Sequence, residues 1–494
     1  MPDPGTHQAP ERKASDAPAR SVQSYIDETP FWPDGTDTPS VPLTRMQWRI
    51  WFLASAGKFF EGLVVFMTGV ALPLIVAEFD LSTTQKGAVG AATLAGILVG
   101  ASALGALSDT FGRKRMFIIE MALFAFFLAG LTFAPSYIWV VLLLFGVGLA
   151  LGCDYPTAHL IISESTPSRA RGKLVLSAFA FQAVGALVGT GTGYLILSNV
   201  PDIAAWRWMY ATAIIPAMLV TTGRFFITDS GHWLMSRGRH NEAERALTRL
   251  LERYPAYPKA VHLAELSPAN ANHHGGGYGQ LFDKTNRRAT ILASIPWFIQ
   301  DLGTYGIGIF TPTILLLTLG HDTGSAHNIA SLVSHDITAA KGAAMLDVLL
   351  ILGIIGAVLL ADRVGRIRLQ FIGFLGCALG LTLAAVSSHV ATLHIPLLFA
   401  GFMLFNFMTN LGPNAQTYLL AGEVFPTGIR GKGAGFAASF AKIGAVITAF
   451  FFPVFLKDFG VDILLAILVG TSLLGALTTW LFRIETARVS LEDI

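Results

Sequence analysis

A chain of 494 residues that is 53% hydrophobic and only 13% charged carries about half the charge of a soluble globular protein, where the share is roughly 25%. Its mean hydropathy of +0.58 excludes a soluble fold of this length, and the formal net charge of +2 is silent about partners. The two cysteines, Cys153 and Cys377, lie in apolar runs without the spacing of a disulfide framework or a metal site, so both read as packing residues.

Residues 1–45 are rich in Pro, Ser, Thr, Asp and Gly and contain no apolar block, which predicts a disordered tail rather than a signal peptide. From Trp48 onward, apolar runs of membrane-spanning length recur. Spans are expected near 48–78, 86–108, 116–134, 138–163, 174–197 and 207–227. After a polar stretch they resume near 289–318, 342–361, 369–387, 394–421, 434–456 and 462–483. The expected fold is an all-α membrane protein of twelve transmembrane helices. A six-helix bundle covers 46–228, a central loop 229–287, a second six-helix bundle 288–484 and a short tail 485–494.

Basic residues gather in alternate loops: Arg113, Lys114 and Arg115; Arg169, Arg171 and Lys173; the central loop; Arg363, Arg366 and Arg368; Arg430 and Lys432. The positive-inside rule makes that side cytoplasmic, and an even number of spans puts both termini there too. Short loops fit a bacterial inner or plasma membrane.

The two halves repeat. ESTPSRARGK begins at Glu164 and EVFPTGIRGK at Glu423; SDTFGRKR begins at Ser108 and ADRVGRIR at Ala361. Parallel six-helix repeats with a solute site between them are a standard transporter plan. Each repeat places carboxylates one turn or so from arginines. Asp109 with Arg113 and Glu164 with Arg171 are the expected ion pairs of the first half, Asp362 with Arg366 and Glu423 with Arg430 those of the second. They hold short loops, latch the two halves together, or do both.

Ionisable side chains deep in the spans are Lys58, Glu61, Glu120, Asp154, His159, Asp301 and Lys442. An intramembrane charge costs roughly 2.5–3.5 kcal/mol on insertion scales and is a functional candidate for that reason. Lys58 and Glu61, three residues apart, can neutralise each other. Glu120 lies near the basic loop and reads as structural, His159 as a packed neutral ring. Asp154 and Asp301 have no basic neighbour one turn away, and Asp301 lies roughly 18 Å into its helix, near the midplane. A carboxyl that alternates between a dry and a wet site can bind a proton in one state and release it in the other. Gly185, Gly189 and Gly193 recur every fourth residue and predict a face for close helix packing.

GALSDTFGRKR, residues 105–115, resembles the loop signature of the major facilitator superfamily, with Thr110 where a basic residue is usual. DSGHWLMSRGRHNEAERAL, residues 229–247, and the closing IETARVSLEDI resemble segments of its sugar-porter branch, with Ile484 in place of a proline. GCDYPTAHLIISE, residues 152–164, resembles the signature of the phosphate:proton symporters. That resemblance implies substrate contacts from Tyr155, Gln182, Trp297, Asp301, Tyr305, Asn414 and Lys442, and proton coupling through Glu61, Asp154 and Asp301. The symporters' pair of aspartates in helix one is replaced here by Glu61 and Val64, with Lys58 as an extra cation.

The expected function is secondary active transport by alternating access: proton-coupled import of a small anion such as inorganic phosphate. The alternatives are a sugar-porter-type carrier, an organic-acid:proton symporter and a nutrient sensor with little flux. The partners expected are a small solute, protons and the lipid bilayer, with no nucleic acid and no cofactor, and the protein is expected to act as a monomer. No nucleotide loop, metal spacing or nucleophile elbow points to an enzyme. HHGGG near His273 reads as linker.

Overall fold

The computed structural model describes residues 20–28, 43–104, 107, 111–252, 261–264, 278–319, 329–426 and 429–486. Among these the chain is helical apart from loops and one isolated bridge between Arg20 and Leu263. Lipid offers no hydrogen bonds, so apolar runs of this length satisfy their backbone groups within helices.

The first half consists of α2 (Arg45–Phe79), α3 (Thr83–Val99), α4 (Arg113–Thr132), α5 (Tyr137–Ser165), α6 (Ser168–Phe179), α7 (Phe181–Asn199) and α8 (Ala205–Phe225). Thr44 and Gln47 form a capping box at the start of α2, and Ser82 and Gln85 repeat it at the start of α3, each satisfying backbone donors that a helix end leaves open. Two short helices follow, α9 (Gly231–Ser236) and α10 (His240–Leu251). The second half consists of α11 (Arg287–Leu319), α12 (Ile329–Val364), α13 (Arg366–Val386), α14 (His394–Leu411), α15 (Pro413–Glu423) and α16 (Arg430–Leu481).

Eight stretches are long and apolar enough by themselves to cross a membrane. One of them, within α16, is two passes, because Gly460 leaves helical geometry (φ 79°) and turns the chain back. Short α3, and α8 and α11 with their polar residues, complete the twelve passages; α6 with α7 and α14 with α15 each make one broken pass. The break between α14 and α15 falls at Gly412, followed by Pro413 in the first turn of α15, where a missing N–H does no harm.

Helices approach closely where side chains are absent. A Cβ on Gly185 or Gly189 of α7 would collide with the carbonyl oxygens of Phe59 or Leu63 on α2, and one on Gly62 with that of Gln182. The four-residue glycine repeat is therefore a packing face. The same device joins the halves away from the basic loops: Gly69 of α2 lies against the Ile309 carbonyl of α11, and Gly87 of α3 against that of Phe450 on α16.

The N-terminal tail departs from expectation. Within it, α1 (Val22–Asp27) is folded and buries Val22, Tyr25 and Ile26, an i, i+3, i+4 face that the tail's polar composition conceals. Asp27 accepts hydrogen bonds from the Ser168 backbone N–H at 2.7 Å and from its hydroxyl at 2.8 Å, docking α1 onto the start of α6.

Candidate functional site

α2, α7, α11 and α16 bring polar side chains to one point between the halves. On α11, Trp297, Asp301 and Tyr305 share a face through their four-residue spacing. Asp301 Oδ2 lies 3.2 Å from Lys442 Nζ of α16, and Tyr305 Oη lies 2.7 Å from the same nitrogen. Across the interface, Glu61 of α2 accepts the Tyr305 hydroxyl at 2.8 Å and the Gln182 amide of α7 at 3.4 Å, and sits 3.5 Å from Lys442. Lys58 pairs with the other Glu61 oxygen at 2.5 Å. The expected Lys58–Glu61 pair thus exists, but as part of a larger network. Two ammonium groups and two carboxyls make it neutral when all four are charged, and Lys442 is shared between the halves.

Asp154 lies elsewhere in the same half as Glu61. Its Oδ1 is 2.5 Å from Arg224 Nη1 of α8, and Arg224, fully buried, also donates to the carbonyls of Phe117 at 2.6 Å and Leu53 at 3.1 Å. The guanidinium stands 3.4 Å from the centre of the Phe117 ring. The absence of a basic neighbour on its own helix therefore does not leave Asp154 unpaired: the partner comes from the sixth span. Arg224 falls inside the expected span 207–227, and a cation within an apolar run was the available signal. Glu120 accepts the Thr157 hydroxyl at 2.9 Å and its second oxygen has no partner. Gly57 makes room for the Asp154 carboxylate, since a Cβ there would overlap it. A narrow cavity of about 20 Å³ runs past Gly57, Lys58, Glu61, Asp154, His159 and Tyr418, and so joins the Asp154–Arg224 pair to the shared network.

Aromatic rings close the site toward the basic side. Tyr418 of α15 stacks on Phe179 of α6 with ring centres 4.5 Å apart, and meets Trp297 and His159 edge-on at 6.1 Å. Trp297 thus touches Tyr418 rather than the charged network, and His159 is packed as expected. Asn414 donates to Asn410 at 2.7 Å, and Asn410 donates to the Leu350 carbonyl at 2.8 Å, a polar chain beside the charges. The side chain of Tyr155 lies outside the described residues. Among those described, no group of three or more His, Cys, Asp or Glu is placed to hold a metal ion.

Two of the four expected loop pairs are replaced by others. Glu164 reaches Arg113 at 3.3 Å and Glu423 reaches Arg366 at 3.0 Å, instead of Arg171 and Arg430. α4 and α5 are antiparallel neighbours, so the end of α5 lies beside the start of α4, and the second half repeats the arrangement. Each pair ties helices within its own half and does not bridge the halves. Arg430 donates to the Phe425 carbonyl at 3.0 Å. Asp109 and the side chain of Asp362 lie outside the described residues. Gly112 and Gly365 precede these arginines at φ 102° and 100°, a conformation in which a Cβ is strained. Asp229 then accepts the Lys114 N–H at 3.3 Å, while Glu485 accepts the N–H groups of Arg366 at 3.0 Å and Ile367 at 3.2 Å. The two segments that follow the sixth and twelfth spans therefore cap equivalent helices.

The chain is 29% identical to the putative metabolite transport protein YaaU of Escherichia coli, over 90% of this chain and 93% of that one. It is 26% identical to a repressible high-affinity phosphate permease of Neurospora crassa, over 80% of this chain and 74% of the relative. Among solved structures it resembles a partially occluded inward-open conformation of the xylose transporter XylE from E. coli, at a TM-score of 0.71 and 22% identity over 90% of this chain and 99% of that one. That likeness shows the major facilitator fold. The relatives are transporters and not enzymes. The family model of the sugar (and other) transporters matches residues 50–494, and the chain belongs to that family of membrane transporters.

Proposed function

We propose that this transporter is a proton-coupled symporter importing a small anion, with inorganic phosphate the first candidate, by alternating access across a plasma or bacterial inner membrane. The basic loops and both termini face the cytoplasm in this reading. The observation that carries it is the sharing of Lys442 between Glu61 and Asp301. With both carboxyls ionised, Lys58 and Lys442 are fully neutralised. A proton on Asp301 or Glu61 leaves the network one positive charge in excess, and in a low-dielectric site that charge draws a monovalent anion. Proton and anion are then taken up together, because the anion is held poorly without the proton. Tyr305 and Gln182, already hydrogen-bonded to Glu61, supply neutral donors for the anion's oxygens, and Asn414 and Tyr155 complete the substrate contacts. Asp154 is a second proton-binding candidate, held by Arg224 and reached through the cavity that also borders Glu61.

A second reading has a specific basis. Gln182, Asn410 and Asn414, with the Gln300–Thr304–Thr409 hydrogen-bonded chain, are uncharged groups suited to a hydroxylated solute, and a D-xylose transporter of Levilactobacillus brevis is 27% identical over 90% of this chain. A carboxylate solute would use the same ammonium groups as phosphate.

Radiolabelled phosphate uptake into proteoliposomes, with and without an inward proton gradient, tests the proposal with wild type beside Asp301→Asn. Gradient-stimulated uptake that the variant loses supports it. No phosphate uptake by a preparation active in counterflow of another solute sinks the phosphate assignment and moves the screen to organic anions and sugars.

A further inference from the structure

α12 carries two buried carboxyls, Asp336 and Asp347, whose eleven-residue separation spans about three turns and places them on one helix face roughly 16 Å apart. Asp336 is 0% exposed, and among the described residues neither of its oxygens has a hydrogen-bond partner. Asp347 is 4% exposed, and its Oδ2 lies 2.9 Å from the Thr190 hydroxyl of α7. That contact joins the two halves of the protein.

The hydrogen inventory of the Asp347 contact is informative. Thr190 Oγ1 is also 3.1 Å from the Ala186 carbonyl, and a hydroxyl has one proton to give. An ionised Asp347 takes that proton and leaves the carbonyl bond unmade. A protonated Asp347 donates to Thr190 Oγ1, and Thr190 donates onward to Ala186, so both contacts are made at once. Asp336 has no donor among the described residues, and a buried carboxylate without donors is strongly disfavoured. Among the described residues, Lys86 of α3 is the charged group acting on Asp336 from another element, and it stands outside ion-pair distance; on the helix itself His335 adjoins Asp336 and Lys341 lies exposed. For Asp347 no charged group of α7, α11, α14 or α2 acts on it among the described residues; Thr190 is its polar neighbour.

We propose that Asp336 and Asp347 make closure of the outer side proton-dependent: the halves close there when both carboxyls carry protons taken from outside, and they part as water reaches and ionises them. The proposal rests on the proton-coupled reading above and adds a gate to it, distinct from the shared network at Lys442. It explains why acids should lie at a place where the halves are otherwise joined by glycine contacts and apolar packing.

The test uses full-length protein in liposomes, without solute, spin-labelled at Ser198→Cys and Ser334→Cys after replacement of Cys153 and Cys377 by alanine. Both label sites are exposed at the outer ends of α7 and α12. Pulsed-EPR distances are read between about pH 5 and pH 8. Wild type should show a short distance at low pH and a growing longer population as pH rises. The double variant Asp336→Asn/Asp347→Asn, which mimics the fully protonated form, should stay short throughout, and each single variant should part over a narrower range of pH than wild type. Thr190→Val, which leaves the acid and removes its partner, should move the change to lower pH. A wild-type distance that ignores pH, or Asn variants that respond as wild type does, would overturn the gate. If closure follows pH but phosphate uptake is absent, the gate stands and the phosphate reading fails. If gradient-driven uptake is present without pH-dependent closure, the gate fails and the symport reading stands.

Discussion

Lys442 and Glu61 belong to opposite halves of the protein and lie 3.5 Å apart, with Tyr305 hydrogen-bonded to both. In the proposed alternating-access cycle this contact is broken and remade at each turn. It is also buried, so its integrity depends on all its charges.

Replacing Lys442 by Gln leaves Glu61 and Asp301 short of one cation. Removing one partner of a buried pair is worth about 3–5 kcal/mol, so the variant should melt well below wild type in detergent and lose gradient-driven uptake. Lys442→Gln combined with Asp301→Asn removes a cation and an anion together. Its melting temperature should exceed that of Lys442→Gln alone, with a coupling of about 0.5–3 kcal/mol in the double-mutant cycle. Strict additivity would show that the pair is not energetically linked.

Arg224 holds Asp154 and two backbone carbonyls at once. Lysine keeps the charge but not the planar fork, so Arg224→Lys should still fold yet lose transport. Arg224→Ala, which abandons a buried Asp154, should reduce stability by about 3–5 kcal/mol. Adding Asp154→Asn to Arg224→Ala should restore much of the melting temperature.

Gly62 and Gly191 provide a packing test. A methyl at Gly62 meets the Gln182 backbone, whereas one at Gly191 meets nothing within 4 Å. Gly62→Ala should destabilise by about 1–3 kcal/mol through overpacking. Gly191→Ala should be neutral or stabilising by up to about 1 kcal/mol. Equal melting temperatures would contradict the close contact of α2 and α7.

Glu485 caps the start of α13 from the segment after the twelfth span. Glu485→Ala should lower stability by about 0.5–2 kcal/mol, the usual loss of a helix cap. Hydrogen exchange at the amides of Arg366 and Ile367 should accelerate in the variant. Unchanged protection there would mean that another group caps the helix.

His232, in α9 after the sixth span, has its proton affinity pushed below the usual histidine range by burial, with the Arg171 charge adding to this and Glu164 opposing it. A histidine that prefers to be neutral when folded contributes stability above its unfolded value of about 6.5, and that stability is lost as pH falls through it. The melting temperature should therefore drop on acidification below about pH 6.5, and His232→Gln should flatten this part of the profile.

What could be read directly from the chain was what depends on local composition and on repetition. Apolar runs longer than a bilayer is thick must be helical, because lipid leaves no other partner for the backbone. The two loop repeats exposed the two halves, and the spacing of Trp297, Asp301 and Tyr305 set them on one face of α11. Gly460 falls between the expected spans 434–456 and 462–483, and its turn separates two passes that otherwise run as one helix.

Pairing was decided by the tertiary structure. Arg224 meets Asp154 from seventy residues away, Glu164 prefers Arg113 to the nearer Arg171, and Lys442 stands between acids of both halves. Asp347, inside the expected span 342–361, carried a readable signal as a charge in an apolar run, but its partner Thr190 was not readable at all. A charge buried in lipid must find compensation, and the sequence announces that need. Which group meets it depends on which helix faces pack together, and that is settled by glycine contacts and side-chain shapes distributed over the whole chain.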